Sequence, residues 1–286
     1  MTSAFGILVD VVLITLVLAL ASAGLAVIFG LIGVINMGHG AFLTLGAYLT
    51  WASTSAGLPF PLAVLVAALG VAAIGLVLEH LLIRRFYDEP FETLLLTWGV
   101  FLVVTELIKI IFGTDFRNVS NPLPGTLAIG GLEIPAYRFS IALFTVLLLA
   151  TLAWLLFRTS FGLRVRGLVQ QKESAALLGL DIGRLYKQVF VLGAALAGLA
   201  GALISPMLSI DPYIGNVFLV RSFFVVTLGG LGQILGGTLI GSFVIGGSET
   251  LFALVTSQVF AQTVVFALAI VLLRFFPTGL LGSRAR

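Results

Sequence analysis

An asparagine and a histidine interrupt an otherwise apolar, glycine-rich stretch, Gly33-Val-Ile-Asn-Met-Gly-His-Gly40. Asn36 and His39 can both donate and accept hydrogen bonds, and burying such groups in a membrane costs free energy unless they are paired. Two roles are compatible with these residue types and with the adjacent Gly40. The two side chains either bond to each other and hold a kink, or they line a polar route for a solute.

Further polar residues in apolar surroundings could line the same route. Thr97 and Trp98 supply a hydroxyl and an indole N–H without burying a charge, whereas Glu249 would place a carboxylate at membrane depth. Polar and ionisable residues inside a membrane are candidates for a functional site. The residues that we predict to line a translocation pathway are Asn36, His39, Gly40, Thr97, Trp98, Thr227, Gly230, Gln233 and Glu249.

The sequence offers no set of residues for catalysis. It contains no cysteine, and its two histidines stand far apart in the chain, which argues against a metal site. The Gly-x-x-x-x-Gly-Lys-Ser/Thr motif that cradles nucleotide phosphates is absent, and no nucleophile stands in a plausible arrangement with a base. We therefore predict a protein that is not an enzyme and needs no cofactor.

The composition fixes the elements that must position these side chains. The chain has 286 residues, of which 60% are hydrophobic and 9% charged, far from the roughly 25% charged of soluble domains. Its 33 glycines favour close helix packing in lipid. We predict one all-α transmembrane domain over 1–286, a bundle of about eight to nine spans. The net charge of +3 is read as a topology signal, not as nucleic-acid binding.

Two glycine-rich segments predict interrupted helices. The apolar block Phe5–Ile35 exceeds one span of about 20 residues, and Leu219–Leu228 is about half of one before the glycines of Gly229–Gly237. The stretches 31–49 and 228–245 also form a faint repeat. Interrupted segments at matching places in two halves point to a transport pathway. The alternative is that glycine-rich helices resemble one another by composition.

A long polar interval, residues 158–187, separates two apolar blocks. It holds six of the fifteen basic residues but only two acidic ones, so the positive-inside rule predicts a cytoplasmic loop. Within it, Gly167–Leu180 is predicted as one short helix that Gly179 ends. Arg274, Arg284 and Arg286 are predicted to hold the C-terminus on the same side. The plain alternative is a solvated loop that only fixes topology.

The segment Glu173-Ser-Ala-Ala-Leu-Leu-Gly179, which follows FGLRVR, resembles the EAA-type loop of ABC importer permeases. The form is that of the branched-chain amino-acid and urea (short-amide) permease family. Here Ser174 stands where the family triplet has alanine, a small-for-small change. The resemblance implies a coupling helix that docks in a groove of the ATPase subunit. The residues it assigns to coupling are Arg164, Arg166, Glu173, Ser174, Ala175, Ala176 and Gly179.

The same resemblance extends over almost the whole chain, through GLAVIFGLIGVINMGHGAFLTLGAY, PYIGNVFLVRSFFVVTLGGLGQILGGTLIG and the closing Pro-Thr-Gly-Leu280. It implies the permease subunit of an importer in a bacterial-type inner membrane. Its implied partners are separate ATPase subunits, an extracytoplasmic solute-binding protein and a second homologous permease, with a heterodimer favoured over a homodimer.

The resemblance implies a small polar solute: a branched-chain or hydrophobic amino acid, or urea or a short amide. The stretch ETLLLTWG, with IFG following, is more similar to the urea and short-amide branch. The alternative from another class is a stand-alone channel or secondary carrier for a small neutral solute, which would transport without ATP.

Overall fold

The computed structural model describes residues 4–129, 131–230 and 232–282, so Arg284 and Arg286 lie outside the described residues. The predicted all-α bundle is confirmed. In this part of the chain, seven helices are long and apolar enough to cross a membrane: Ala4–Ile32, Phe60–Arg85, Pro90–Phe112, Ala136–Arg158, Ile182–Met207, Ile234–Ala253 and Gln258–Phe275. Two shorter helices beside the interrupted segments complete the bundle.

The helices are numbered in chain order. The first five are α1 (Ala4–Ile32), α2 (His39–Ser55), α3 (Phe60–Leu81), α4 (Pro90–Phe112) and α5 (Ala136–Arg158). The polar interval holds α6 (Ser160–Gln170) and α7 (Lys172–Leu177). The last five are α8 (Ile182–Ile204), α9 (Ile214–Gly229), α10 (Ile234–Ser242), α11 (Ser248–Ala253) and α12 (Gln258–Phe275).

The centre of the bundle is formed by α1 and α8. Most residues of each helix are buried, whereas a third or less of the residues are buried in the membrane-length windows of α3, α4, α5 and α12. Glycines allow the central helices to touch their neighbours. A Cβ built on Gly24 would lie 2.4 Å from Gly193 O, and one on Gly46 would lie 2.2 Å from Gly198 O. Such close backbone approach replaces the hydrophobic drive that helices lack in lipid.

Both predicted interruptions are present. The chain is not helical from residue 33 to 38, between α1 and α2, which we call the first break. The second break lies between α9 and α10 and includes residues 230, 232 and 233. Gly33 (φ 70°) and Gly230 (φ 106°) lead the two breaks in a backbone region that favours glycine. The π-helical turn Phe243–Gly247 then joins α10 to α11.

The connection between α4 and α5 contains a β-hairpin. Strands β1 (Thr126–Ile129) and β2 (Leu132–Pro135) pair antiparallel, with Thr126 opposite Pro135. Ile134 is buried against Leu13 of α1. Tertiary packing therefore stabilises two strands that are too short to be recognised by their sequence.

The single helix predicted over Gly167–Leu180 is wrong. Gln171 adopts an extended conformation (φ −153°, ψ 93°) and separates α6 from α7. Its side-chain Oε1 accepts a hydrogen bond from Ser174 Oγ at 2.8 Å, a local contact that competes with a continuous helix. Gly179 (φ 81°) follows the end of α7 in the left-handed conformation, as expected of a helix stop.

Candidate translocation pathway and coupling surface

The first break enters the bundle. His39 Nε2 lies 2.8 Å from Ala21 O, although Ala21 stands eleven residues before the end of α1, or about 16 Å along its axis. The chain therefore turns back along α1 before α2 begins. Asn36 and His39 are 1% and 0% exposed. Non-helical backbone inside the membrane is tolerated where protein or a water-filled cavity surrounds it.

Asn36 and His39 do not bond to each other through their side chains. Asn36 Oδ1 accepts from Gly38 N at 3.0 Å, and His39 Nε2 donates to Ala21 O, since a carbonyl can only accept. The remaining polar atoms, Asn36 Nδ2 and His39 Nδ1, are buried with no hydrogen-bond partner in the described chain. One donor and one acceptor thus stay unused inside the bundle, which is uncommon in a purely structural contact.

Thr97 ties the first break to α4. Its hydroxyl accepts from Met37 N at 3.0 Å and donates to Thr93 O at 2.8 Å. The neighbouring Trp98 is placed differently, because its ring is 40% exposed and stacks on Phe101 with centroids 5.3 Å apart. The structure therefore brings Thr97 to Asn36–His39 and leaves Trp98 on the outer surface of α4.

Gly40 lies in the first turn of α2, directly after the first break, and packs against α9. A Cβ built on Gly40 would lie 2.8 Å from Gly215 O. Thr44 reinforces this contact, because its hydroxyl accepts from Gly215 N at 3.1 Å. Three helices, α1, α4 and α9, therefore hold the first break in place.

The second break contacts the C-terminal segment, where a Cβ built on Gly230 would lie 2.7 Å from Gly282 N. Gly230 is buried, and the end of α9 is capped by the C-terminal segment, where Leu280 N donates to Leu228 O at 2.7 Å. Gln233 is exposed. Thr227 bonds within its own helix, donating to Phe223 O at 2.8 Å. Residue 231 lies outside the described chain.

A cavity of about 280 Å³ separates the second break from α6. Gln233 and Gly236 line one side of it, and Arg166 and Gln170 line the other. A predicted pathway residue and a predicted coupling residue therefore face the same space. The sequence does not reveal this proximity, because the two segments are more than sixty positions apart.

Glu249 pairs with an arginine that the sequence analysis did not single out. Arg221 Nη2 lies 2.8 Å from Glu249 Oε1, and Gln258 Nε2 donates to the same oxygen at 2.7 Å. The pair links α9 to α11 and places a second charge inside the bundle. The sequence feature that could have identified Arg221 is its position as the lone arginine in the apolar segment Leu219–Leu228.

The predicted coupling residues lie on an exposed surface. Arg164 and Arg166 donate to carbonyls of their own helix, Ser160 O at 3.2 Å and Gly162 O at 3.3 Å. In α7, Ala175 is buried. The remaining predicted coupling residues are exposed, namely Glu173, Ser174, Ala176 and Gly179. Beside them Leu177 and Leu178 are 90% and 84% exposed.

A polar and aromatic cluster anchors α7. The Lys172 ammonium pairs with Asp88 and lies 5.7 Å from the Tyr186 ring, which meets the Tyr87 ring at 4.6 Å. Tyr87 donates to Glu79 Oε1 at 3.0 Å. The Asp88 bond raises the pKa of Lys172, and burial, followed by the Glu79 charge, raises the pKa of the Tyr87 hydroxyl. The cluster connects α7 to the ends of α3 and α8.

Across residues 4–129, 131–230 and 232–282, no group of three or more histidine, aspartate or glutamate side chains is placed to hold a metal ion. The features of the described chain are a bundle of membrane-length helices, two breaks that contact its interior, and an exposed two-helix loop. This arrangement is that of a multi-pass membrane transport protein.

The family model for the branched-chain amino acid transport system permease component matches residues 7–273. The chain belongs to this family. Among its curated relatives is the high-affinity branched-chain amino acid transport system permease protein LivH of Escherichia coli, 29% identical over 282 residues (92% of this chain, 91% of the relative).

Two further relatives are also described as branched-chain amino acid transport permease proteins. The high-affinity branched-chain amino acid transport system permease protein BraD of Pseudomonas aeruginosa is 26% identical over 280 residues, 92% of this chain and 91% of the relative. A probable LivH of Methanocaldococcus jannaschii is 28% identical over 200 residues, 66% of this chain and 61% of the relative.

Proposed function

We propose that this chain is the permease subunit of an ABC importer that carries a branched-chain or other hydrophobic amino acid into the cytoplasm. Separate ATPase subunits drive the transport. The observation that carries the proposal is the exposed apolar tip of α7 within a polar, basic loop. Leu177 and Leu178 are almost fully exposed there. Exposed apolar surface rimmed by polar residues marks a contact with another protein.

The two-helix loop suits an ATPase partner. The six-residue α7 ends at a glycine, so it presents a short helix of low relief to a groove. Lys172, bound to Asp88, anchors its beginning, while its exposed end stays free for contact. A push on α7 is thus passed through this cluster to the ends of α3 and α8.

Transport proceeds by alternating access. The cavity between Arg166 and Gln233 allows α6 to approach the second break when the ATPases close. The second break then shifts relative to the first break, which the hydroxyl of Thr97 and the Ala21 carbonyl hold. The unused polar atoms of Asn36 and His39 offer hydrogen bonds to the passing solute.

The family and the names of the relatives support an amino acid as the solute. Urea and short amides are the alternatives to be excluded by measurement. The basic loop supports an orientation with residues 158–187 and the C-terminus in the cytoplasm. A second homologous permease, as a heterodimer, and an external solute-binding protein complete the assembly.

The test is the ATPase activity of the reconstituted complex, with leucine, urea or acetamide supplied by the cognate binding protein. We expect leucine to stimulate the ATPase activity, and urea and acetamide not to stimulate it. Leu177→Asp should reduce that stimulation by about tenfold or more, because it charges the apolar contact. The matched control is Leu123→Asp, at an exposed leucine of the loop between α4 and α5.

Uptake by this chain alone, without ATP and insensitive to Leu177→Asp, would contradict the importer and favour a channel or carrier. Stimulation by urea or acetamide instead of leucine would leave the importer in place and replace its solute.

A further inference from the structure

A second cavity, of about 170 Å³, lies at the end of the bundle opposite the two-helix loop. Arg138 on its rim stands twenty residues before Arg158, the end of α5, so about 30 Å of helix separates the cavity from that loop. In the proposed orientation it opens toward the side from which solute arrives. Three charged residues line it: Asp10, Arg138 and Arg221.

These charges have unused bonding capacity. Asp10 and Arg138 make no hydrogen bond or ion pair with any residue that the structure describes. Arg221 directs one amino group to Glu249, while its Nε is buried without a partner in the same part of the chain. Ionisable groups in membrane helices are costly and usually face a functional partner. One carboxylate and two guanidinium groups are therefore available to a ligand.

The rest of the cavity wall is apolar. Leu13, Ile14 and Val17 of α1 face the cavity together with Ile204 and Phe218. A cavity lined by charges of both signs and by aliphatic side chains matches a ligand that carries a positive charge, a negative charge and a branched hydrocarbon. The volume is below the roughly 300–1,000 Å³ of pockets for drug-sized molecules, which suits a small solute.

We propose that this cavity binds the zwitterion of an amino acid with an apolar side chain. Arg138 and Arg221 hold its carboxylate, Asp10 holds its ammonium group, and the aliphatic wall accepts its side chain. This inference rests on the proposed function and adds a binding site within the permease itself. Urea and short amides lack both charges, so the same cavity discriminates against them.

The cavity is also connected, through Arg221, to α9 and the second break. Arg221 stands eight residues, or about 12 Å, before Gly229, where α9 ends and the second break begins. Through Glu249 it also contacts α11. A carboxylate that draws Arg221 toward itself therefore acts on the helix that leads into the second break.

The test is equilibrium binding of radiolabelled L-leucine to the permease–ATPase complex in proteoliposomes without the binding protein. We expect saturable binding that Arg138→Gln and Asp10→Asn each weaken about tenfold or more, because each removes one partner of a charge pair. Both positions are exposed and unpaired in the described chain, so the variants should fold. The matched control is Arg274→Gln, at an exposed arginine outside the cavity, which should bind leucine normally.

Two analogues test the chemistry. L-Leucinamide lacks the carboxylate and 4-methylpentanoate lacks the ammonium group, so each should compete at least about tenfold more weakly than leucine. Equal competition by either analogue, unchanged binding in both variants, or no binding to the unaltered complex would overturn the site. Leucine uptake driven by ATP is then measured in the same vesicles after the cognate binding protein has been added. If ATP-driven uptake is observed while the binding measurements contradict the site, the proposed importer function stands and the leucine site in the permease is rejected.

Discussion

The two breaks occupy matching places in the faint repeat, yet their surroundings differ. The first break is enclosed, with Thr97 bonded to Met37 N and His39 bonded to α1. The second break lies beside a cavity and exposes Gln233. Two similar glycine-rich segments are therefore packed differently by their neighbours. We infer that the first break is the fixed element and the second break the movable one.

The largest expected difference in stability is between alanine substitutions at Gly215 and at Gly232. Gly215→Ala places a Cβ 1.9 Å from Gly40 O. A Cβ at Gly232 meets no atom within 4 Å, so Gly232→Ala costs only the strain of a side chain at a left-handed backbone position (φ 85°). We expect a loss of about 3 kcal/mol for the former, since backbone atoms must shift, and of about 1 kcal/mol for the latter. Thermal unfolding of the purified protein in detergent measures both. Equal losses would contradict the enclosed first break.

A smaller effect is expected from two threonines. Thr97→Val leaves the part-buried Met37 N–H without its acceptor, and we expect a cost of about 1 kcal/mol. Thr227→Val removes a hydroxyl that bonds only to carbonyls of its own helix, so we expect a change below about 0.5 kcal/mol. Chemical unfolding of the two variants side by side checks the difference. A larger loss at Thr227 would reverse the assignment of fixed and movable breaks.

The smallest expected loss of stability comes from breaking the exposed ion pair between Lys172 of α7 and Asp88. Asp88→Asn breaks the ion pair with Lys172, and because both side chains are well exposed we expect a loss below about 1 kcal/mol. The bond raises the pKa of Lys172 in the folded protein, so its contribution is complete below the ordinary lysine value of about 10.4 and disappears as pH rises through the higher folded value.

Unfolding temperatures of the Asp88→Asn variant and the unaltered protein at pH 7 and pH 11 test this dependence. The small difference at pH 7 should shrink at pH 11. A difference that grows with pH would show that the ion pair does not stabilise α7.

The sequence predicted the helical class, the two breaks and the polar loop, because length, apolarity and glycine clusters are local properties. It also placed Asn36, His39 and Thr97 among the candidates, since polar residues are conspicuous in apolar sequence. It did not predict the division of the loop at Gln171, where a local side-chain contact with Ser174 accompanies the extended backbone. The sequence did not predict the hairpin between α4 and α5, because its strands are only four residues each.

Local sequence patterns were sufficient to predict a membrane-spanning helical bundle with interrupted segments. Which polar residues contact one another depends on the packing of the helices. The contact from Met37 to Thr97 spans sixty positions, and the one from Arg221 to Glu249 spans twenty-eight. Such pairs, and the cavity that gathers Asp10, Arg138 and Arg221, follow from how α1, α5, α8 and α9 pack. Packing depends on the fit of whole helix faces, which no single segment of sequence contains.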